Sequence, residues 1–116
     1  MLLVVDDDPT FRRLARRLLK VVGLDVAAEA ATVAEALSTA TSIQPTSALV
    51  DVELPDGNGF DLAAQLTALP WRPRVVVTSA RSDDGYAARA ERAGAEAFVL
   101  KADLARAPLT SWLSDA

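Results

Sequence analysis

What this chain can become is decided largely by four apolar runs, each of which stops on a polar residue. Met1-Leu2-Leu3-Val4-Val5 stops on Asp6-Asp7-Asp8, and Ala48-Leu49-Val50 stops on Asp51. Val75-Val76-Val77 stops on Thr78-Ser79, and Phe98-Val99-Leu100 stops on Lys101. Val-rich runs without apolar/polar alternation suit strands covered on both faces. Strands that alternate with helices call for parallel βαβ units with right-handed crossovers. In such a sheet the carboxyl ends of the strands line the ligand crevice. Acids, a hydroxyl and a lysine that are far apart in sequence are therefore expected along one edge. That residue set points to a Mg²⁺-assisted phosphoryl site with an aspartate nucleophile.

The intervening segments carry helix signals. Asp8 is placed as an N-cap, with Pro9 preset for the first turn. Phe11, Leu14, Leu18 and Val22 recur at helical spacing until Gly23. Residues 24–29 read as a second strand, and Thr32-Val33-Ala34-Glu35 as a capping box. A Leu54-Pro55-Asp56-Gly57 turn precedes a helix near residues 60–69. Ser82-Asp83-Asp84 is expected to cap the next helix, which ends at Gly94. Residues 97–100 form the fifth strand, and Pro108 starts a short last helix with Trp112 and Leu113 as its apolar contacts. The expected architecture is a three-layer α/β sandwich.

Composition narrows the function classes. The 116 residues are 51 % hydrophobic, enough for one core and too many for a disordered chain. No apolar run approaches the roughly 20 residues of a membrane span, and the apolar start lacks a basic leader. Cysteine and histidine are both absent, so this sequence supplies no disulfide, thiolate metal site, Ser-His-Asp triad or phosphohistidine. A cytoplasmic location fits. The net charge of −4 argues against sequence-independent contact with nucleic acid.

Taken together, the motifs resemble those of a response-regulator receiver domain, the phosphoacceptor half of two-component signalling. They are the Val4-Val5-Asp6-Asp7 run, Asp51 before Leu54-Pro55-Asp56-Gly57, Thr78-Ser79-Ala80, and Phe98-Val99-Leu100-Lys101. The likeness spans nearly the whole chain, so residues 1–116 are expected to be one receiver domain without an output domain among them, either working alone or as a fragment of a longer regulator. It implies a flavodoxin-like five-stranded parallel sheet of order 2-1-3-4-5. It further implies a signalling switch rather than a turnover enzyme, with Asp51 as phosphoacceptor. Asp7 and Asp51 would be direct Mg²⁺ ligands, joined by the Glu53 backbone carbonyl, with Asp6 acting through water. Lys101 and Ser79 would contact the phosphoryl group, and Ser79 with Phe98 would form the switch. A sensor histidine kinase or phosphotransfer protein would be the donor, and a downstream protein the target.

Each assignment has a plainer competitor. An aspartate after a strand often only satisfies turn N–H groups, as expected of Asp8. Lys101 could simply end an edge strand, Ser79 could be a turn serine, and Phe98 could be an ordinary core residue; Thr78 is expected to face the core. Adjacent Asp6 and Asp7 leaving a buried strand are harder to explain without a cation. A haloacid-dehalogenase-type phosphatase would need an aspartate where Glu53 stands, and would hydrolyse phosphomonoesters repeatedly. A degenerate, unphosphorylated module is opposed by the complete acid, hydroxyl and lysine set.

Two departures from the family pattern stand out. Ala102 follows Lys101 where most receivers carry a cis-joined proline, so a trans bond is expected. The last helix looks shortened, which weakens dimerisation through that surface. Glu53 and Arg81 flank the expected phosphoryl position and are candidates for an ion pair that tunes its lifetime. Arg12, Arg13, Arg16, Arg17 and Lys20 form a basic face on the first helix, either solvated or able to steer an acidic partner.

Overall fold

The computed structural model describes residues 1–114, and its central element is a parallel sheet of five strands. In chain order the elements are β1 (Leu2–Val5), α1 (Pro9–Val21), β2 (Val26–Ala30), α2 (Val33–Ile43) and β3 (Ser47–Asp51). Then come β4 (Glu53–Leu54), β5 (Gly57–Asn58), α3 (Gly59–Thr67), β6 (Arg74–Ser79) and α4 (Tyr86–Arg92). β7 (Ala97–Leu100), a 3₁₀ helix (Lys101–Arg106) and α5 (Leu109–Leu113) follow. The sheet order is β2-β1-β3-β6-β7, which is 2-1-3-4-5 when its five strands are counted alone. β4 and β5 form a separate antiparallel hairpin inside the turn expected at residues 54–57.

The sheet divides the core in two. On one face Leu3, Val5, Val50, Val75 and Val77 pack against α2, α3 and α4 through Ala36, Ala40, Leu62, Leu66 and Ala90. On the other, Leu2, Val4, Leu49 and Val76 meet Phe11, Ala15 and Leu19 of α1, with Leu104, Leu109 and Leu113 beyond. Both faces of β1 and β3 are buried, which is why these strands show no alternation.

Most helix signals hold, and the exceptions have identifiable causes. Asp8 caps α1 by accepting the Thr10 N–H at 2.9 Å, and Thr32 caps α2 by accepting the Glu35 N–H at 3.0 Å. The Glu35 carboxylate reaches back one residue further than a capping box requires, to the Ala31 N–H. The buried stripe of α1 is Phe11, Ala15 and Leu19 rather than the one the large residues predict. Leu14 and Val22 are 46 % and 44 % exposed, because the small Ala15 fills the position closest to the sheet. β2 starts two residues later than expected, at Val26. Ser82-Asp83-Asp84 does not cap α4; Gly85, at φ +88°, is its N-cap and supplies no side chain. The left-handed backbone there outweighs the acidic residues' capping preference. The Lys101–Ala102 peptide is trans, and the chain turns directly into the 3₁₀ helix. α5 is short, as Pro108 suggests, with Leu113 buried and Trp112 packed against the same cluster.

Candidate functional site

Register brings the strand ends to one edge. Val5 pairs with Val50, Asp51 with Thr78, and Ser79 with Leu100, so residues 6, 51, 79 and 101 fall at the same rim. Asp6, Asp7, Asp51, Glu53 and Lys101, with Asp8 and Ala80, line a cleft of about 220 Å³ there. Oxygen atoms of Asp6, Asp7 and Asp51 all lie within 4.8 Å of one another. Asp6 is fully buried and Asp51 is 4 % exposed, whereas Asp7 opens to solvent.

The Lys101 ammonium faces this acidic group. Its Nζ stands 2.7 Å from Asp6 Oδ2 and 3.6 Å from Asp51 Oδ1, and 4.2 Å from the centre of the Phe11 ring. Asp6 Oδ1 accepts the Asp8 N–H, while Oδ2 takes no aligned hydrogen bond and relies on the ammonium's charge. Burial raises the Asp51 pKa from 3.8 to about 6; the Asp6 charge adds to the rise, as to a lesser degree does Asp7. Lys101 and the Glu53 N–H pull the other way and do not cancel it. Three carboxylates against this ammonium leave the cleft short of positive charge. An oxygen-only donor set of this kind fits a hard cation such as Mg²⁺, which keeps several waters and needs few protein ligands.

The backbone around Asp51 is held tightly. The Val52 N–H donates to the Thr78 carbonyl at 2.8 Å, and the Gly59 N–H donates to the Val52 carbonyl at 2.8 Å. A Cβ on Gly59 would lie 2.2 Å from the Asp51 carbonyl oxygen, so only glycine permits α3 to start this close. Asp56, at the tip of the β4–β5 hairpin, accepts the N–H groups of Val33 at 2.7 Å and Ala34 at 3.1 Å. Those two hydrogen bonds hold the Asp56 carboxyl below its usual pKa and tie the hairpin to the start of α2. Neither Gly59 nor Asp56 carries a motif signal for these roles. The Gly-x-Gly spacing at 57–59 and an acid after Pro55 are the available hints.

The other expected residues are arranged less simply. Ser79 is fully buried and its Oγ accepts the Arg81 N–H at 3.3 Å; Ala80, not Ser79, borders the cleft. Thr78 is buried with its hydroxyl unpartnered. Arg81 Nε approaches Glu53 Oε1 at 3.5 Å across the mouth, with both side chains mostly exposed. Phe98 is half-buried and packs edge-on against Tyr86 at 5.4 Å, which in turn packs against Phe60 at 5.1 Å. The basic face of α1 is partly spent inside the molecule. Arg12 and Arg16 both pair with Glu29 on β2, at 2.8 and 2.7 Å, and Arg12 also donates to the Asp6 carbonyl.

Comparison with known proteins agrees with this geometry. Residues 2–110 match the family model described as response regulator receiver domain. The chain belongs to that family. This receiver is 38 % identical over 103 residues to the DNA-binding transcriptional activator DevR/DosR of Mycobacterium tuberculosis, covering 84 % of this chain and 46 % of that one. It is 27 % identical over 99 residues to a chemotaxis protein CheY of Thermotoga maritima, covering 85 % and 82 %. The receiver domain of the putative response regulator NarL from M. tuberculosis superposes with a TM-score of 0.82 at 30 % identity, covering 95 % and 93 %. The receiver thus spans about half the length of the transcriptional regulators it matches, and most of the chemotaxis protein. Among the described residues no helix is long and apolar enough to cross a membrane.

Proposed function

We propose that this receiver takes a phosphoryl group onto an Asp51 carboxylate oxygen from a phosphohistidine on a sensor kinase or phosphotransfer protein. The observation that carries the proposal is the cluster of Asp6, Asp7 and Asp51, two of them buried, facing the Lys101 ammonium. In the transfer the Asp51 oxygen forms a bond to phosphorus as the histidine nitrogen–phosphorus bond breaks. The product is an acyl phosphate, and the donor imidazole leaves.

Asp7 and Asp51 side chains and the Glu53 carbonyl would hold Mg²⁺, with Asp6 acting through water. When bound, the ion supplies positive charge against both the carboxylate and the incoming phosphoryl oxygens. Lys101 is close enough to leave Asp6 for a phosphoryl oxygen on Asp51, which a flexible point charge does readily. Ser79 would exchange its bond with the Arg81 N–H for a phosphoryl oxygen, and half-buried Phe98 would shift inward against Tyr86. This is a change of population between two packings, whose extent is set by how strongly Ser79 and Lys101 bind the new phosphoryl oxygens. Glu53 and Arg81, paired at the mouth, would slow water's approach to the acyl phosphate.

On this reading residues 1–116 form one receiver domain that acts on a protein target in the cytoplasm, and these residues themselves make no direct contact with nucleic acid. It turns its own phosphate over slowly and is not an enzyme acting on other substrates. Incubation with acetyl phosphate and Mg²⁺, followed by intact mass, tests it. A single phosphate adduct is expected, absent when EDTA replaces Mg²⁺ from the start and absent in Asp51→Asn. An adduct that survives Asp51→Asn would place the chemistry elsewhere.

A further inference from the structure

Lys101 is not steered by carboxylates alone. Its ammonium lies 4.2 Å from the centre of the Phe11 ring, and Phe11 is only 7 % exposed. The ring belongs to the first turns of α1, directly after the cap at Asp8. An ammonium over an aromatic face is attracted by the ring quadrupole, and more strongly where water is excluded. The Lys101 side chain is 20 % exposed, so most of that attraction survives.

The backbone gives Lys101 little guidance of its own. The residue opens a 3₁₀ helix whose N-cap, Leu100, makes no side-chain hydrogen bond, and the following residue is Ala102 rather than a ring-locked proline. The ammonium also has an asymmetric choice of acids, with Asp6 at 2.7 Å and Asp51 at 3.6 Å. The ammonium rests against Asp6, the more buried of the pair, with Asp51 still within reach. An aromatic face offers no lone pair and little angular preference. It can therefore keep the ammonium over the cleft while its hydrogen bonds are exchanged.

We infer that Phe11 is a positioning residue: its ring holds the Lys101 ammonium against Asp6 and within reach of Asp51, poised for a phosphoryl oxygen. This rests on the phosphoacceptor role of Asp51, and the experiment separates the two. The first arm is the intact-mass assay on the unaltered chain; no adduct there would sink the parent role and leave nothing for Phe11 to assist.

Given an adduct, Phe11 is replaced by 3,4,5-trifluorophenylalanine, which keeps the ring's shape while removing its negative face. The rate constant for phosphorylation by acetyl phosphate should fall roughly three- to tenfold. The same replacement in a Lys101→Ala background should have no further effect, since the cation is gone. Without any phosphate donor, the Lys101 methylene protons should resonate upfield under the ring current and move downfield in Phe11→Leu. An unchanged rate in the fluorinated protein, an equal loss in the Lys101→Ala background, or Lys101 signals that ignore Phe11→Leu would each overturn the inference.

Discussion

Two groups of charges flank the start of α1, and they are built on opposite principles. At the cleft, three acids share one ammonium, and two of the acids are buried. Beside it, Glu29 is held between Arg12 and Arg16, an excess of positive charge at a half-exposed position. The result shows in their protonation. Asp51 is pushed up to about 6, chiefly by burial, whereas Glu29 is lowered, chiefly by its hydrogen bonds with Arg16. The Glu29 cluster is complete in itself and fastens α1 to β2. The cleft is left short of positive charge, and a group so strongly shifted in a cleft marks a candidate functional site.

The largest effect should come from relieving that imbalance. A carboxyl whose folded pKa exceeds its unfolded value costs stability as pH rises. The folded state keeps a proton that the unfolded chain has already released. For Asp51 the loss runs from about pH 4, near the ordinary 3.8, to somewhat above 6. It amounts to on the order of 2–3 kcal/mol. Metal-free Asp51→Asn should therefore be more stable than the parent chain at pH 7.5 by about that amount, and equal to it at pH 3.5. Urea melts at the two pH values measure this; a parent chain that is the more stable at pH 7.5 would mean the cleft is not under strain.

Mg²⁺ should reproduce part of that gain. At pH 7.5 millimolar MgCl₂ should raise the melting temperature by about 5 °C, and EDTA should return it. The rise should shrink as pH falls through about 6, where Asp51 takes up its proton, and should be absent in Asp51→Asn. A rise of the same size at pH 5 would put the ion elsewhere.

The contrasting cluster gives a smaller change of the opposite sign. Glu29 is stabilising while ionised, so its contribution is present above its ordinary 4.5 and lost as pH drops through the lowered folded value. Glu29→Gln should cost about 1 kcal/mol at pH 7 in urea melts, and less in high salt. Phosphorylation should be unaffected. The exposed Glu53–Arg81 pair should matter least. Arg81→Ala should hasten loss of the acyl phosphate by roughly two- to threefold, in keeping with an exposed ion pair of about 0–1 kcal/mol. An unchanged or slower rate would remove the pair from any role in lifetime.

What could be seen in the sequence follows the range of the forces involved. Strand ends were legible because hydrophobic runs are local and a parallel sheet aligns their carboxyl ends; Asp6, Asp7, Asp51 and Lys101 followed from that alone. The Arg12–Glu29 and Arg16–Glu29 pairs join elements through sheet packing, so five basic residues on α1 looked equivalent when two were already engaged. The stripe of α1 misled for a related reason. Leu14 is large and apolar, yet the tight helix–sheet contact selects Ala15. Ser79 shows the limit of a strand-end argument: the position is correct, but its hydroxyl accepts the Arg81 N–H, and Ala80 rather than Ser79 lines the cleft. Gly59 leaves no hint beyond the Gly-x-Gly spacing at 57–59, because the need for it arises from the backbone of Asp51, a clash no pattern of side chains records.

The two hydrogen bonds that Asp56 accepts from the start of α2 have a practical corollary. Because that carboxylate protects the Val33 and Ala34 amides from water, deuterium uptake at those positions reports whether the hairpin beside Asp51 stays seated. An observer following only those two exchange rates could watch the loop respond to metal or phosphate without placing a probe in the cleft.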